Sequence, residues 1–217
     1  GNVHYYDNET DNYTQHHLQL NYTRAFTDAL AWSTTFNYTR GDGYYENYKA
    51  GRAFSKYMFE NPVIEGVEYD EGDFITREAL ANDYFVLNSD VRYSSERLNL
   101  TAGVNLSRYD GDHIGSVLWS DVLGDSYDYG SHQWYLNNGL KQELNAFVRG
   151  EILLARKLTA FADLQYRGIW LKMEGPEDDG VLLDHKDDWQ FFNPRAGLSY
   201  RLNPSSRIYA SAALGQR

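Results

Sequence analysis

Cysteine is absent from all 217 residues, so neither a disulfide framework nor a thiolate site can be built. Proline is scarce at four residues, and methionine scarcer at two. Nowhere do apolar residues run on for the roughly 20 positions that a membrane-crossing helix needs. Positive charge is also short. Twenty Lys and Arg against 31 Asp and Glu leave a net charge of −11 and a pI of about 4.9. That balance argues against nucleic acid and other phosphate-tracking partners. The opening Gly1-Asn2-Val3-His4-Tyr5 lacks the basic region and apolar core of a secretion signal. A mean hydropathy of −0.64 is too polar for a helical membrane protein. It does not exclude a transmembrane barrel, which needs apolar side chains only at alternate strand positions and has polar loops.

What the chain has in plenty is aromatic residues, at 16% with 19 Tyr. They sit in a repeating pattern. In the stretch 29–48, Leu30, Trp32, Thr34, Phe36 and Tyr38 alternate with Ala31, Ser33, Thr35, Asn37 and Thr39. Period two is the signature of a strand with one apolar and one wet face. The segment then enters Gly41-Asp42-Gly43 and a polar, Tyr-rich loop expected to reach residue 81, with a short helical piece around 76–81.

The rest of the chain repeats that unit. A polar opening over 1–14 reads as the tail of a loop, and a first strand follows at about 16–24. Further strands are expected at about 83–93, 98–107, 140–154, 158–170 and 192–202, with an eighth beginning at Arg207. Their connections alternate. Short turns lie at 26–28, 94–97, 156–157 and 203–206, and long loops at 41–81, 110–138 and 174–188. Short turns at one end and long loops at the other are the arrangement of an outer-membrane barrel. The wet face supports the same reading. It carries Asp90, Arg92, Arg149, Glu151, Asp163, Arg167, Arg195 and Arg201, too many charges for a sealed core. Lys or Arg on a lipid face would cost about 2–4 kcal/mol each at mid-bilayer, so these side chains are expected to line a wet lumen. The fold class expected is all-β, an antiparallel up-and-down transmembrane barrel segment of eight strands in four hairpins. The alternation still runs at 208–214 where the chain stops, so the whole of 1–217 is read as a piece of a longer barrel.

Little of the sequence suggests chemistry. His16 and His17 are adjacent on a strand and point to opposite faces, so they cannot share a metal. Asp110-Gly111-Asp112 with His113 resembles part of a calcium loop but lacks the spacing and the terminal Glu. The same holds for Glu177-Asp178-Asp179. No Gly-x-Ser-x-Gly elbow is present, and the apolar face offers no Ser, His and Asn cluster. No catalytic residue, metal or cofactor is expected. The better candidates are aromatics of the outer loops, Tyr44, Tyr45, Tyr48, Trp119, Trp134 and Tyr135. They offer rigid amphipathic contact area where a ligand would first arrive, or else belong to the interfacial aromatic belt.

Several pieces resemble segments of TonB-dependent outer-membrane receptors of the Bacteroidetes type, in order along nearly the whole chain. They are Tyr38-Thr39-Arg40-Gly41-Asp42-Gly43-Tyr44-Tyr45-Glu46, Ser107-Arg108-Tyr109-Asp110-Gly111-Asp112-His113, Ala162-Asp163-Leu164-Gln165-Tyr166-Arg167, Phe192-Asn193-Pro194-Arg195-Ala196-Gly197-Leu198, and the closing run from Tyr209. The resemblance implies a 22-stranded barrel plugged by a globular domain, importing a scarce nutrient such as a metal chelate, cobalamin or glycan. It implies as partners the lipid of a Gram-negative outer membrane, the TonB complex acting through a plug outside this chain, and a small nutrient ligand. On this reading the chain supplies about eight strands from the middle of the barrel. Alone, such a piece is expected to close on itself or to pair edge to edge. The competing expectation is a stand-alone eight-stranded barrel, a ligand-binding or adhesion protein.

Overall fold

The computed structural model describes residue 6 and residues 9–216. The expected loop tail therefore falls partly outside the described residues, and from Asp11 onward it is strand. Eight long strands form one sheet, antiparallel throughout: β1 (Asp11–Ala25), β2 (Leu30–Ala53), β5 (Glu71–Ser94), β6 (Leu98–Ser120), β7 (Gln133–Ala155), β8 (Leu158–Pro176), β9 (Leu182–Asn203) and β10 (Ser206–Ala213). Two-residue strands β3 (Val63–Ile64) and β4 (Val67–Glu68) pair only with each other, at the tip of the first long connection. Each long strand pairs with its neighbours in sequence, as hairpin logic requires.

The expected strands are present, but they are much longer at the outer end. β2 runs on to Ala53 and β5 starts at Glu71, so the loop expected over 41–81 shrinks to the residues between them. The helical piece expected at 76–81 is strand, each residue paired to both β2 and β6. β6 likewise runs to Ser120, β7 starts at Gln133, and β8 and β9 close on a five-residue gap between Pro176 and Leu182. The reason is energetic. A polar sequence without apolar alternation still satisfies every backbone donor by extending ladders already begun.

Register decides which side chains share a face. Across all eight strands the directly opposed pairs put the apolar positions together. Leu20 stands opposite Phe36, Phe36 opposite Leu87, Leu87 opposite Leu106, Leu106 opposite Leu144. Val148 stands opposite Leu164, Ala160 opposite Leu198 and Leu198 opposite Ala210. No strand breaks the pattern within this band. Nine residues from Leu30 to Tyr38 match the roughly 9–11 that a tilted strand needs to cross a bilayer. Side chains on this face stay exposed, for example Leu18 at 51%, Val104 at 39% and Leu198 at 51%. A continuous apolar surface of this size on a water-soluble protein would mark aggregation or a membrane.

The buried core is small and lies elsewhere, at the outer end of the opposite face. Phe54, Tyr57, Phe74, Val117, Trp134 and Tyr135 form it, with Phe54, Phe74 and Val117 fully inaccessible. A one-turn 3-10 segment, Phe54–Tyr57, brings the first two into place, closed by Met58 in the left-handed region.

The two ends of the sheet, β1 and β10, are not paired to each other. The self-closed small barrel expected as one outcome is thus replaced by an open sheet. An eight-stranded barrel has an interior just wide enough to be filled by side chains. Here the inner face would have to bury Arg149, Arg167 and Arg195 together with Phe147 and Phe161, and that face is better left wet.

Candidate functional site

The wet face contains all eight of the charged residues expected there. Asp90, Arg92, Arg149, Glu151, Asp163, Arg167, Arg195 and Arg201 all alternate with the apolar set. Several are tied together. Arg92 Nε donates to Asp90 Oδ2 at 2.9 Å. Arg149 gives two hydrogen bonds to Asp163 Oδ2, at 3.1 and 2.9 Å. Asp163 is only 6% exposed and also accepts from Gln165 Nε2. Arg167 Nη2 reaches Glu143 Oε2 at 2.9 Å, so Glu143 belongs to this face too. Sequence reasoning passed over it, although its spacing from Asn145 and Arg149 gives the signal. Arg195 makes no such bridge among the described residues and lies over the Phe161 ring at 5.3 Å.

Between these charges an amide ladder crosses the wall. Asn145 Nδ2 donates to Asn105 Oδ1 at 3.2 Å, and Asn105 Nδ2 to Asn88 Oδ1 at 2.6 Å. The three are register partners on β7, β6 and β5. Aromatic rings on the same face lie over glycines. Phe147 stands opposite Gly103, and a Cβ there would be 2.8 Å from the ring. Phe161 covers Gly197 and Tyr135 covers Gly115 in the same way. Lying along the wall, these rings shield backbone without projecting into the space the face looks onto.

Toward the outer end the wet face becomes a tyrosine wall. Tyr84 and Tyr109 are direct partners with ring centroids 6.4 Å apart. Three rows on, Tyr45 stands opposite Glu78 and donates its hydroxyl to that carboxylate. Tyr13 on β1 lies beside Gly43, its hydroxyl 3.4 Å from Asn82 Oδ1. Tyr13, Tyr45 and Tyr84 are all exposed, at 49%, 41% and 39%.

The six aromatics expected to meet ligand divide by face. Tyr45 is on the wet face and accessible. Tyr44, Tyr48 and Trp119 share the face of the apolar band, above it, and so lie outside the wall. There Tyr44 holds the Arg77 guanidinium at 4.3 Å, Tyr48 donates to Asp73, and Trp119 Nε1 donates to Asp125 at 2.9 Å. Trp134 and Tyr135 face inward but are 4% and 8% exposed, edge-to-face with each other at 5.1 Å. Burial pushes the Tyr135 hydroxyl up to about 12. Alternation could have separated Tyr44 from Tyr45. Nothing in the sequence marked the core that buries Trp134.

That core ties three outer connections together. His132, the last residue of the β6–β7 connection, stacks on Phe59 at 3.6 Å and meets the Tyr57 carbonyl oxygen with Nε2 at 2.5 Å. Lys56 bridges to Asp178 of the β8–β9 connection at 3.2 Å. Among the described residues no group of His, Asp and Glu could hold a metal ion.

No curated protein matches the chain. Solved structures do. The ferric-catecholate import receptor Fiu of E. coli K12 aligns with a TM-score of 0.62 at 12% identity, over 95% of this chain and 36% of that one. The ferric yersiniabactin uptake receptor FyuA of Yersinia pestis aligns at 0.53 and 9% identity, over 92% of this chain and 27% of that one. BauA, the ferric preacinetobactin receptor of Acinetobacter baumannii, gives 0.51 and 10%, over 92% and 30%. The chain thus spans about a third of the receptors it resembles. At these identities the likeness speaks for the fold. The family described as TonB dependent receptor-like, beta-barrel, matches residues 1–217, its members are outer-membrane proteins of Gram-negative bacteria, and this chain belongs to it.

Proposed function

We propose that the chain forms part of the wall of an outer-membrane receptor that takes up a scarce nutrient with energy delivered through TonB. The nutrient would be a metal chelate, cobalamin or a glycan, and residues 1–217 would be a segment of the longer barrel. The observation that carries this reading is the division of labour along one face. Below, charges and amides bond to one another and brace the wall. Above, Tyr13, Tyr45 and Tyr84 present exposed amphipathic rings beside Asn82 and Glu78, with the half-buried Tyr109 packed against Tyr84. Flat rings with polar edges suit a chelate or glycan arriving from outside. Tyr44, Tyr48 and Trp119 stay in this proposal as wall and belt residues, and Trp134 and Tyr135 as packing beneath the ligand surface. The charged residues of the wet face line the lumen, and no catalytic role is assigned to any of them.

Uptake by the protein in its outer membrane tests the reading. Radiolabelled ferric chelates, cobalamin and oligosaccharides are offered separately, with and without TonB. One compound is expected to bind in both cases and to accumulate only with TonB. Replacing Tyr45, Tyr84 and Tyr109 together by Ala is expected to weaken binding at least tenfold. Accumulation that ignores TonB, or binding that ignores the three tyrosines, would refute the proposal.

A further inference from the structure

Two hollows open on the apolar face, and they meet. One, of about 550 Å³, is floored by Phe36, Leu87, Leu106 and Leu144, with Arg108 and Gln142 at its outer rim and Trp170 as a wall. Trp170 leans over Gly168, where a Cβ would be 2.6 Å from the ring, and this fold of the indole leaves the groove open beside it. The second, of about 280 Å³, shares Gln142 and Trp170 with the first and continues outward to Lys172 and Lys186.

Those lysines are direct register partners across β8 and β9. Like charges opposed in this way repel. Lys172 has a bridge to Glu174 at 2.5 Å. Lys186 has no bonded partner among the described residues. Of the nearby acids, Asp187 is taken by His185 at 2.5 Å, while Asp184 stands opposite Glu174 and Asp188 opposite Trp170. The lysine pair sits one step outward of Trp170, in the line where the apolar band gives way to Arg40, Asp83 and Asp110 on β2, β5 and β6, with Leu140 of β7 between them and the lysines. That line corresponds to headgroup depth, where aromatic and basic residues collect.

We propose that this outer wall holds a phosphate-bearing membrane lipid, one acyl chain in the groove beside Leu106 and Leu144 and its phosphate between Lys172 and Lys186. The apolar groove accepts the chain by area alone. The phosphate relieves the lysine repulsion and gives Lys186 a partner. Its negative charge fits the cations, while Asp188 keeps headgroup charge from sliding down beside Trp170. The inference rests on the apolar face meeting lipid. It is independent of which nutrient the receptor takes up.

Fluorescence tests it on the purified protein in detergent. The probes are dioleoyl phosphatidic acid and dioleoyl glycerol, each with dibrominated chains, which quench nearby indoles. Phosphatidic acid is expected to quench the protein, and Trp170→Phe to remove most of that signal. The Lys172→Gln, Lys186→Gln double variant is expected to weaken phosphatidic acid at least fivefold and leave the glycerol lipid unchanged. Millimolar inorganic phosphate is expected not to displace the lipid. Equal affinity for the two lipids, indifference to the lysine changes, or displacement by free phosphate would each overturn the proposal. Leu144→Phe fills the groove from its other side without adding an indole and keeps the test open should the lysine variant fail to fold. It is expected to abolish quenching with the strand circular dichroism intact, and full quenching in this variant would also overturn the site.

Discussion

At the residue scale the outer core is the most demanding place in the chain. Phe74 touches Phe54 at 5.0 Å, Tyr57 at 4.7 Å and Phe59 at 6.3 Å between ring centroids. Phe74→Ala is expected to cost about 3–5 kcal/mol locally. The loss should appear as faster proteolysis at 54–62 and 121–132, with the membrane band still protected. Asp73 gives a pH prediction. The Tyr48 hydroxyl and then the Gly51 backbone N–H, at 2.8 Å, hold its carboxyl below the usual range. A lowered folded value means stability that is fully present above the unfolded value of about 3.9 and lost as pH falls through the folded one. Hydrogen exchange around 48–53 is expected to speed up only below about pH 4, and Asp73→Asn to bring that rate up at neutral pH. Individual residues were the least legible part of the sequence. Trp134 and Tyr135 looked like Tyr45, polar-flanked aromatics in an acidic stretch. Only contacts from residues far along the chain, Tyr57 on Trp134 at 5.1 Å among them, separate buried from exposed.

At the scale of the element, alternation revealed where strands exist but not where they end. The band from Leu98 to Leu106 could be read directly because one face meets lipid and the other water. Beyond Arg108 period two vanishes, and the strand continues on backbone hydrogen bonds until Val117 enters the outer core. The glycine-under-ring pairs belong to this scale as well. Gly103→Ala would set a Cβ 2.8 Å from Phe147 and 3.0 Å from the Ser89 carbonyl oxygen. It is expected to destabilise the β5–β7 region by about 1–3 kcal/mol, the usual cost of overpacking. Pairing it with Phe147→Ala should restore part of that loss, measured by urea unfolding in detergent, because the carbonyl contact remains. Full recovery would place the whole cost on the ring, and no recovery would place it on the backbone.

At the scale of the molecule, one register runs through seven hairpin pairings without exchanging faces between Leu18 and Ala210. A single slip by one residue would have moved a strand's whole apolar set to the wet side. This was legible in sequence because apolar positions outnumber exceptions on every strand. The free edges at β1 and β10 were not, since the pattern is the same for a strand with one neighbour or two. The absence of cysteine makes a direct test clean. Single cysteines placed in turn at positions 98–107, spin-labelled in a bilayer, report access to oxygen from lipid and to a nickel chelate from water. The account predicts strict alternation, with oxygen dominant at 100, 102, 104 and 106 and the chelate dominant at 99, 101, 103, 105 and 107. Equal access to the chelate on both faces would contradict it, and with it the membrane wall on which the receptor reading depends.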